Sequence, residues 1–120
     1  MFTDEVTSHF ENPRNIGTIA DADGSATIGS AASGEMLKLT LKITDDKIVE
    51  AKFRAFGCPT VIASGSMLTE MVTGIDVSEA SEIKASDISI ALGGLPADKL
   101  RYATYAESAL KTALANITFQ

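Results

Sequence analysis

One residue in this 120-residue sequence carries a thiol: Cys58, in Phe56-Gly57-Cys58-Pro59-Thr60. A strand pattern ends just before it, and Pro59 suits the first position of a helix. The sulfur therefore falls near free backbone N–H groups and the positive end of a helix dipole. Both favour the thiolate, the form that attacks electrophiles and binds soft metals. The same residue also reads as a small buried hydrophobe, and the local sequence leaves both roles open. Ser33-Gly34-Glu35 offers a hydroxyl and a carboxylate just ahead of a clear strand, and taken alone reads as a solvated turn. Arg101-Tyr102 falls in the first turn of the last helix, where positive charge works against the dipole. By spacing these two are a surface arginine and a half-buried tyrosine. His9, the single histidine, sits on a short helix before a proline turn and reads as a structural hydrogen-bonding residue. No carboxylate pair is spaced for acid–base work. Phosphate-loop, nucleophile-elbow and His-Glu-x-x-His patterns are absent, so the sequence gives no sign of an enzyme.

The elements that must position these groups can be read from periodicity. Thr3 caps a helix reaching Phe10, with Asp4 and Glu5 favourable in its first turn. Pro13 ends it, and Glu11 to Asn15 form a tight polar connector. From Met36 to Thr44 alternation is strict, with Leu37, Leu39, Leu41 and Ile43 on one face. Asp45-Asp46-Lys47 turns the chain into a second strand, with Val49, Ala51, Phe53 and Ala55 inward. The two form an antiparallel hairpin. An earlier strand lies within Gly17 to Ser30. Gly24 to Gly34, rich in glycine, alanine and serine, reads as a mobile loop.

After Cys58 the pattern is helical. Val61, Ile62, Gly65, Leu68, Met71 and Val72 form a stripe, and Gly74 suits the C-terminal cap. Asp76-Val77-Ser78-Glu79 has the form of a capping box for a helix reaching Lys84. Ser86 caps another that stops at Gly93-Gly94. A last helix runs from Asp98 to Ile117, with the stripe Leu100, Ala103, Ala106, Leu110, Ala113, Leu114 and Ile117 and with Glu107 at its edge. Helix, three strands, then helices make an α+β fold: a small three-stranded antiparallel sheet with helices packed on one face.

Composition bounds the function. The chain is 45% hydrophobic and 22% charged, enough apolar material for the core of one domain. A net charge of −6 argues against nucleic acid as the main partner. A single cysteine excludes an intrachain disulfide and any self-contained multi-cysteine metal site. The acidic start Met1-Phe2-Thr3-Asp4-Glu5 lacks the apolar core of a signal peptide, and no apolar run approaches a bilayer span. The expected setting is a reducing cytoplasm.

His9-Phe10-Glu11-Asn12-Pro13-Arg14-Asn15-Ile16-Gly17 resembles the opening signature of NifU/IscU-type iron–sulfur cluster assembly scaffolds. The hairpin from Met36 to Phe56, Phe56-Gly57-Cys58, Ala91-Leu92-Gly93-Gly94-Leu95-Pro96 and Ala106-Glu107-Ser108-Ala109-Leu110-Lys111 match as well. The resemblance covers nearly all of the chain and implies one scaffold domain over residues 1–120. It implies a transient [2Fe-2S] cluster, or zinc or iron, held on three cysteines with an aspartate or histidine. It further implies cysteine desulfurase and other assembly proteins as partners, and a dedicated DnaK-like chaperone where one exists.

The ligand positions depart from the family pattern. The Cys-Gly-Asp motif reads Ser33-Gly34-Glu35 here, and the Tyr/Phe-Gly-Cys motif keeps Cys58. The Leu-Pro-Pro-Val-Lys-x-His-Cys motif reads Leu95-Pro96-Ala97-Asp98-Lys99-Leu100-Arg101-Tyr102. Arg101 thus stands for the auxiliary histidine and Tyr102 for the last cysteine. The site implied by the resemblance is Ser33, Glu35, Cys58, Arg101 and Tyr102, of which Cys58 and Glu35 keep ligand-type atoms for a metal. One thiolate and one carboxylate fall short of four-coordinate closure in one chain, so a cluster would need ligands from a second copy. Ala97 and Asp98 put a small and an acidic residue into the stretch that docks the chaperone, which weakens that contact. The resemblance leaves two roles: a scaffold with a degraded cluster site, or a non-cluster-binding module that docks on a desulfurase or another assembly protein.

Overall fold

The computed structural model describes residues 2–117. Thr3 caps α1 (Asp4–Glu11) as expected, its hydroxyl accepting from the Val6 N–H at 3.1 Å. Three strands follow, β1 (Gly24–Ser30), β2 (Glu35–Thr44) and β3 (Lys47–Phe56), and pair antiparallel in the order β1-β2-β3. After them come α2 (Pro59–Val72), α3 (Val77–Ala80), α4 (Ala85–Ala91), a 3-10 turn (Ala97–Lys99) and α5 (Leu100–Ala115).

The β2–β3 hairpin turns through Asp45 and Asp46, both left-handed (φ 52° and 62°), the twist that a two-residue hairpin demands. Leu37, Leu39 and Leu41 are fully buried. The expectation that Val49 points inward fails. Lys42 pairs with Glu50 while Ile43 pairs with Ile48, so Val49 is the extra residue of a bulge. The phase of β3 flips there: Ile48 enters the core and Val49 is exposed.

The earlier strand expected within Gly17 to Ser30 is β1, and the mobile-loop reading of Gly24 to Gly34 is corrected over Gly24–Ser30. Each of its seven residues has a partner on β2, from Gly24 opposite Leu41 to Ser30 opposite Glu35. The small residues admit α5: a Cβ on Gly24 would stand 2.4 Å from the carbonyl oxygen of Ala113. The composition that suggests flexibility is that of a close backbone crossing.

Helices α2 and α5 cover one face of the sheet, α2 against β3 and α5 against β1 and β2. The signature connector holds the other face and the β3 edge. Gly17 donates to Phe53 O at 2.9 Å, Phe53 donates to Asn15 O at 3.0 Å, and the Ile19 N–H reaches the buried Thr40 hydroxyl at 3.1 Å. Its polar residues also lock onto α2: Arg14 N donates to Ser66 Oγ at 2.9 Å, and Asn15 Nδ2 donates to Thr69 Oγ1 at 3.1 Å.

Other helix limits shift. Asp76 forms no side-chain cap, because its carboxylate pairs with Lys47 at 3.2 Å, and α3 stops at Ala80 rather than Lys84. Helix α4 starts at Ala85, with the Lys84 N–H bonded to Asp87 Oδ2 at 2.9 Å; Ser86 is not its cap. Glu107 at the edge of the α5 stripe accepts from the Ala85 N–H and pairs with Lys111 at 3.1 Å. Asp98 lies in the 3-10 turn, so α5 begins at Leu100 and ends at Ala115. Leu100 is exposed instead of heading the stripe, and Tyr102 is buried in its place.

Candidate functional site

The site grows from the junction between β3 and α2. Gly57 turns the chain there with φ +131°, and a Cβ on it would lie 3.1 Å from Glu35 Cγ and 3.2 Å from Val61 Cγ1. A bare backbone at that point lets the start of β2 lie beside the start of α2, which sets Glu35 near Cys58. Cys58 is the N-cap residue of α2, with extended backbone and Pro59 next to it. Its thiol is partly exposed. Burial pushes that thiol up. The Tyr102 hydroxyl, the N–H groups of Val61 and Thr60 and the Thr60 hydroxyl together outweigh burial and bring it below the ordinary cysteine value.

Tyr102 is 3% exposed, more deeply set than the half-buried residue its spacing suggests. Its hydroxyl accepts from Arg101 Nη2 at 2.7 Å. The facing Glu35 carboxylate, burial and the Cys58 sulfur push its phenol up to about 12 against the pull of Arg101. Arg101 is exposed and reaches along the surface: Nη2 lies 3.4 Å from Glu35 Oε1, and the guanidinium stands 4.8 Å from the centre of the Tyr102 ring. Tyr102, first, and Glu35 hold it firmly protonated. Glu35 Oε2 is buried without a hydrogen bond.

Four of the five expected residues, Glu35, Cys58, Arg101 and Tyr102, thus form one network. Ser33 stays outside it. Its exposed hydroxyl faces Ser30 O at 2.9 Å and Glu35 O at 3.0 Å, and it accepts from the Ser30 N–H at 3.2 Å. Ser33 closes the β1–β2 turn. Among the described residues no group of three or more His, Cys, Asp or Glu side chains could hold a metal ion.

The sequence reading missed Thr60. It is fully buried beside Cys58. It also lines a cleft of about 380 Å³ between α1 and Leu95-Pro96. Its position two residues after a helix-capping cysteine was the available signal. His9 has the structural role expected of it. The ring is buried, with Nδ1 2.7 Å from Ser66 Oγ and Nε2 3.4 Å from Glu70 Oε1. Ser66 Oγ also accepts from the Arg14 N–H, so one hydroxyl ties the ring to the connector. Burial, then Arg14, hold its pKa below the usual value against Glu70.

The family model of the NifU-like N-terminal domain matches residues 1–119. The chain belongs to the NifU/IscU scaffold family. It is 42% identical to "Iron-sulfur cluster assembly scaffold protein IscU 1" of Archaeoglobus fulgidus over 95% of this chain and 74% of that one. It is 40% identical to "Iron-sulfur cluster assembly scaffold protein IscU" of Escherichia coli over 96% and 92% of the two chains. The crystal structure of the N-terminal part of a NifU-like protein from Brucella abortus superposes with a TM-score of 0.77 at 18% identity, over 96% of this chain and 92% of that one. The α+β architecture is that of the family. A scaffold family is one of carriers rather than catalysts, in line with the absence of a catalytic pattern. Within the NifU/IscU family this chain is degenerate at its ligand positions, with one cysteine in place of three. None of its described helices is long and apolar enough to cross a membrane.

Proposed function

We propose that this protein works in iron–sulfur cluster assembly as a family member that does not carry the cluster on its own chain. It acts as a docking module for a cysteine desulfurase or another assembly protein. The observation that carries this reading is the Arg101 guanidinium laid over the site, paired with Glu35 Oε1 at 3.4 Å and donating to the Tyr102 hydroxyl. A [2Fe-2S] cluster, iron or zinc would be the cargo of this family, and the donor set does not fit it. A cluster needs soft thiolates, and Cys58 supplies one. Glu35, the one carboxylate beside it, is already neutralised by a fixed cation. The Tyr102 phenol, raised to about 12, keeps its proton near neutral pH. The Ser33 hydroxyl is committed to its own turn.

Whole-length family membership supports retained docking. Chaperone docking through Leu95 to Lys99 is expected to be weak. Asp98 stands exposed on the 3-10 turn where the family motif has an apolar residue. The test is anaerobic binding to a purified cysteine desulfurase, followed by iron analysis of the complex. A stable complex free of iron and labile sulfide is the expected result. Failure to form any complex would overturn the docking role.

A further inference from the structure

The cations of this acidic chain gather on one surface. Of its 10 lysines and arginines, set against 16 acidic residues, Lys38, Lys42, Lys52 and Arg54 stand on the sheet face turned away from α2 and α5. Two of them are neutralised in place: Lys42 pairs with Asp21 at 3.1 Å and Asp23 at 3.8 Å, and Lys52 with Glu50 at 3.6 Å. Lys38 and Arg54 form no salt bridge among the described residues. Yet these two are direct cross-strand partners, cation opposite cation. Like charges so placed weaken a sheet unless an anion lies over them. Arg54 Nε donates to the Thr18 hydroxyl at 3.2 Å, which steadies the guanidinium and leaves both Nη groups without a partner among the described residues. The next pair on the same face is Met36 opposite Phe56, and the Phe56 ring is 39% exposed.

We propose that this end of the outer sheet face docks an acidic segment of a partner protein. Its carboxylates bridge Lys38 and Arg54, and an apolar side chain beside them covers Met36 and Phe56. Charge complementarity names the occupant: the bare cation pair calls for carboxylates, and the apolar pair next to it calls for a side chain that a nucleic-acid backbone lacks. The net charge of −6 also repels a polyanion over the rest of the surface, so attraction is confined to this patch. The Asp21, Asp23 and Glu50 carboxylates that quench Lys42 and Lys52 set its limit along the strands. The surface is independent of the desulfurase docking proposed above and is tested without a desulfurase.

The test titrates the full chain with a short synthetic peptide of glutamates around one phenylalanine, followed by amide chemical shifts. Saturable binding is expected, with the largest shifts at Met36, Lys38, Arg54 and Phe56. Lys38→Gln and Arg54→Gln should each weaken it about threefold, the worth of one exposed ion pair. Lys84→Gln, on another surface, should leave it unchanged. The Lys38 side chain has no ion pair to lose, so its variant should keep the thermal midpoint of the native chain and separate lost binding from lost fold. Salt at about 1 M should remove most of the binding. A peptide with alanine for the phenylalanine should bind about fivefold more weakly, and one with glutamine for the glutamates should not bind. Absence of saturable binding, equal affinity in the Lys38 and Arg54 variants, or equal binding of the glutamine peptide would overturn the proposal. Tighter binding of a single-stranded oligonucleotide than of the glutamate peptide would overturn it as well.

Discussion

Arg101 and Tyr102 change the chemistry open to Cys58 more than the loss of two thiols does by itself. A vacant ligand position leaves space; this network fills it. The guanidinium pairs with Glu35, the one carboxylate of the network. Tyr102 replaces a soft anionic donor by a hydroxyl that stays protonated. Cys58 and Glu35 were legible as the remaining ligand-type residues. Arg101 is the surface arginine its spacing suggests; its pairing with Glu35 and Tyr102 was not legible, because spacing does not say which way a long side chain folds. Ser33 was placed with the site by resemblance to a motif, and its hydroxyl instead serves local backbone groups. His9 carries a prediction at this scale. Its pKa is lowered in the folded protein, first by burial. The unfolded chain therefore binds more protons below its ordinary value near 6.5, and folding stability falls as pH drops through the folded pKa. Thermal unfolding followed from pH 7.5 to 5 should show a falling midpoint. His9→Gln should flatten that slope, and an unchanged slope would refute the assignment.

At the scale of elements, the signals that survived were those whose cause is local. The Thr3 cap, the Asp45-Asp46 turn and the strict alternation of β2 each depend on residues a few positions apart. The failures needed tertiary information. Val49 was placed inward by counting twos through a bulge that only the pairing with β2 defines. Asp76 was given a capping role that Lys47, distant in sequence, takes from it. Gly24 to Ser30 read both as part of an earlier strand and as the start of a mobile loop, because a strand under a close helix crossing must be built of small residues. That last point is testable. Gly24→Ala puts a methyl 2.4 Å from the Ala113 carbonyl oxygen, so either β1 or α5 must move. A loss of about 1–3 kcal/mol in denaturant unfolding is expected. A neutral or stabilising effect, the result expected for a mobile loop, would contradict the strand assignment. The signature motif gains a physical meaning at the same scale. Its His9, Arg14 and Asn15 bond to Ser66 and Thr69 on α2 and fasten the connector against the sheet edge. Among the contacts they make, these fasten the fold.

For the whole molecule, fold and chemistry part company. The core is complete: Phe53, Leu37, Leu39, Leu41, Leu68 and Leu110 are fully buried between the sheet and α2 and α5. Nothing in that packing involves Ser33 or requires a metal donor. On the proposed function, the scaffold architecture is intact and the donor set is what disfavours a cluster. The direct measurement is anaerobic reconstitution with iron, sulfide and a cysteine desulfurase. The native chain and a Ser33→Cys, Tyr102→Cys double variant would be run side by side and read by visible absorption and iron content. The account predicts a colourless native protein with no stoichiometric iron, and a brown double variant. A brown native chain carrying stoichiometric iron and labile sulfide would contradict it.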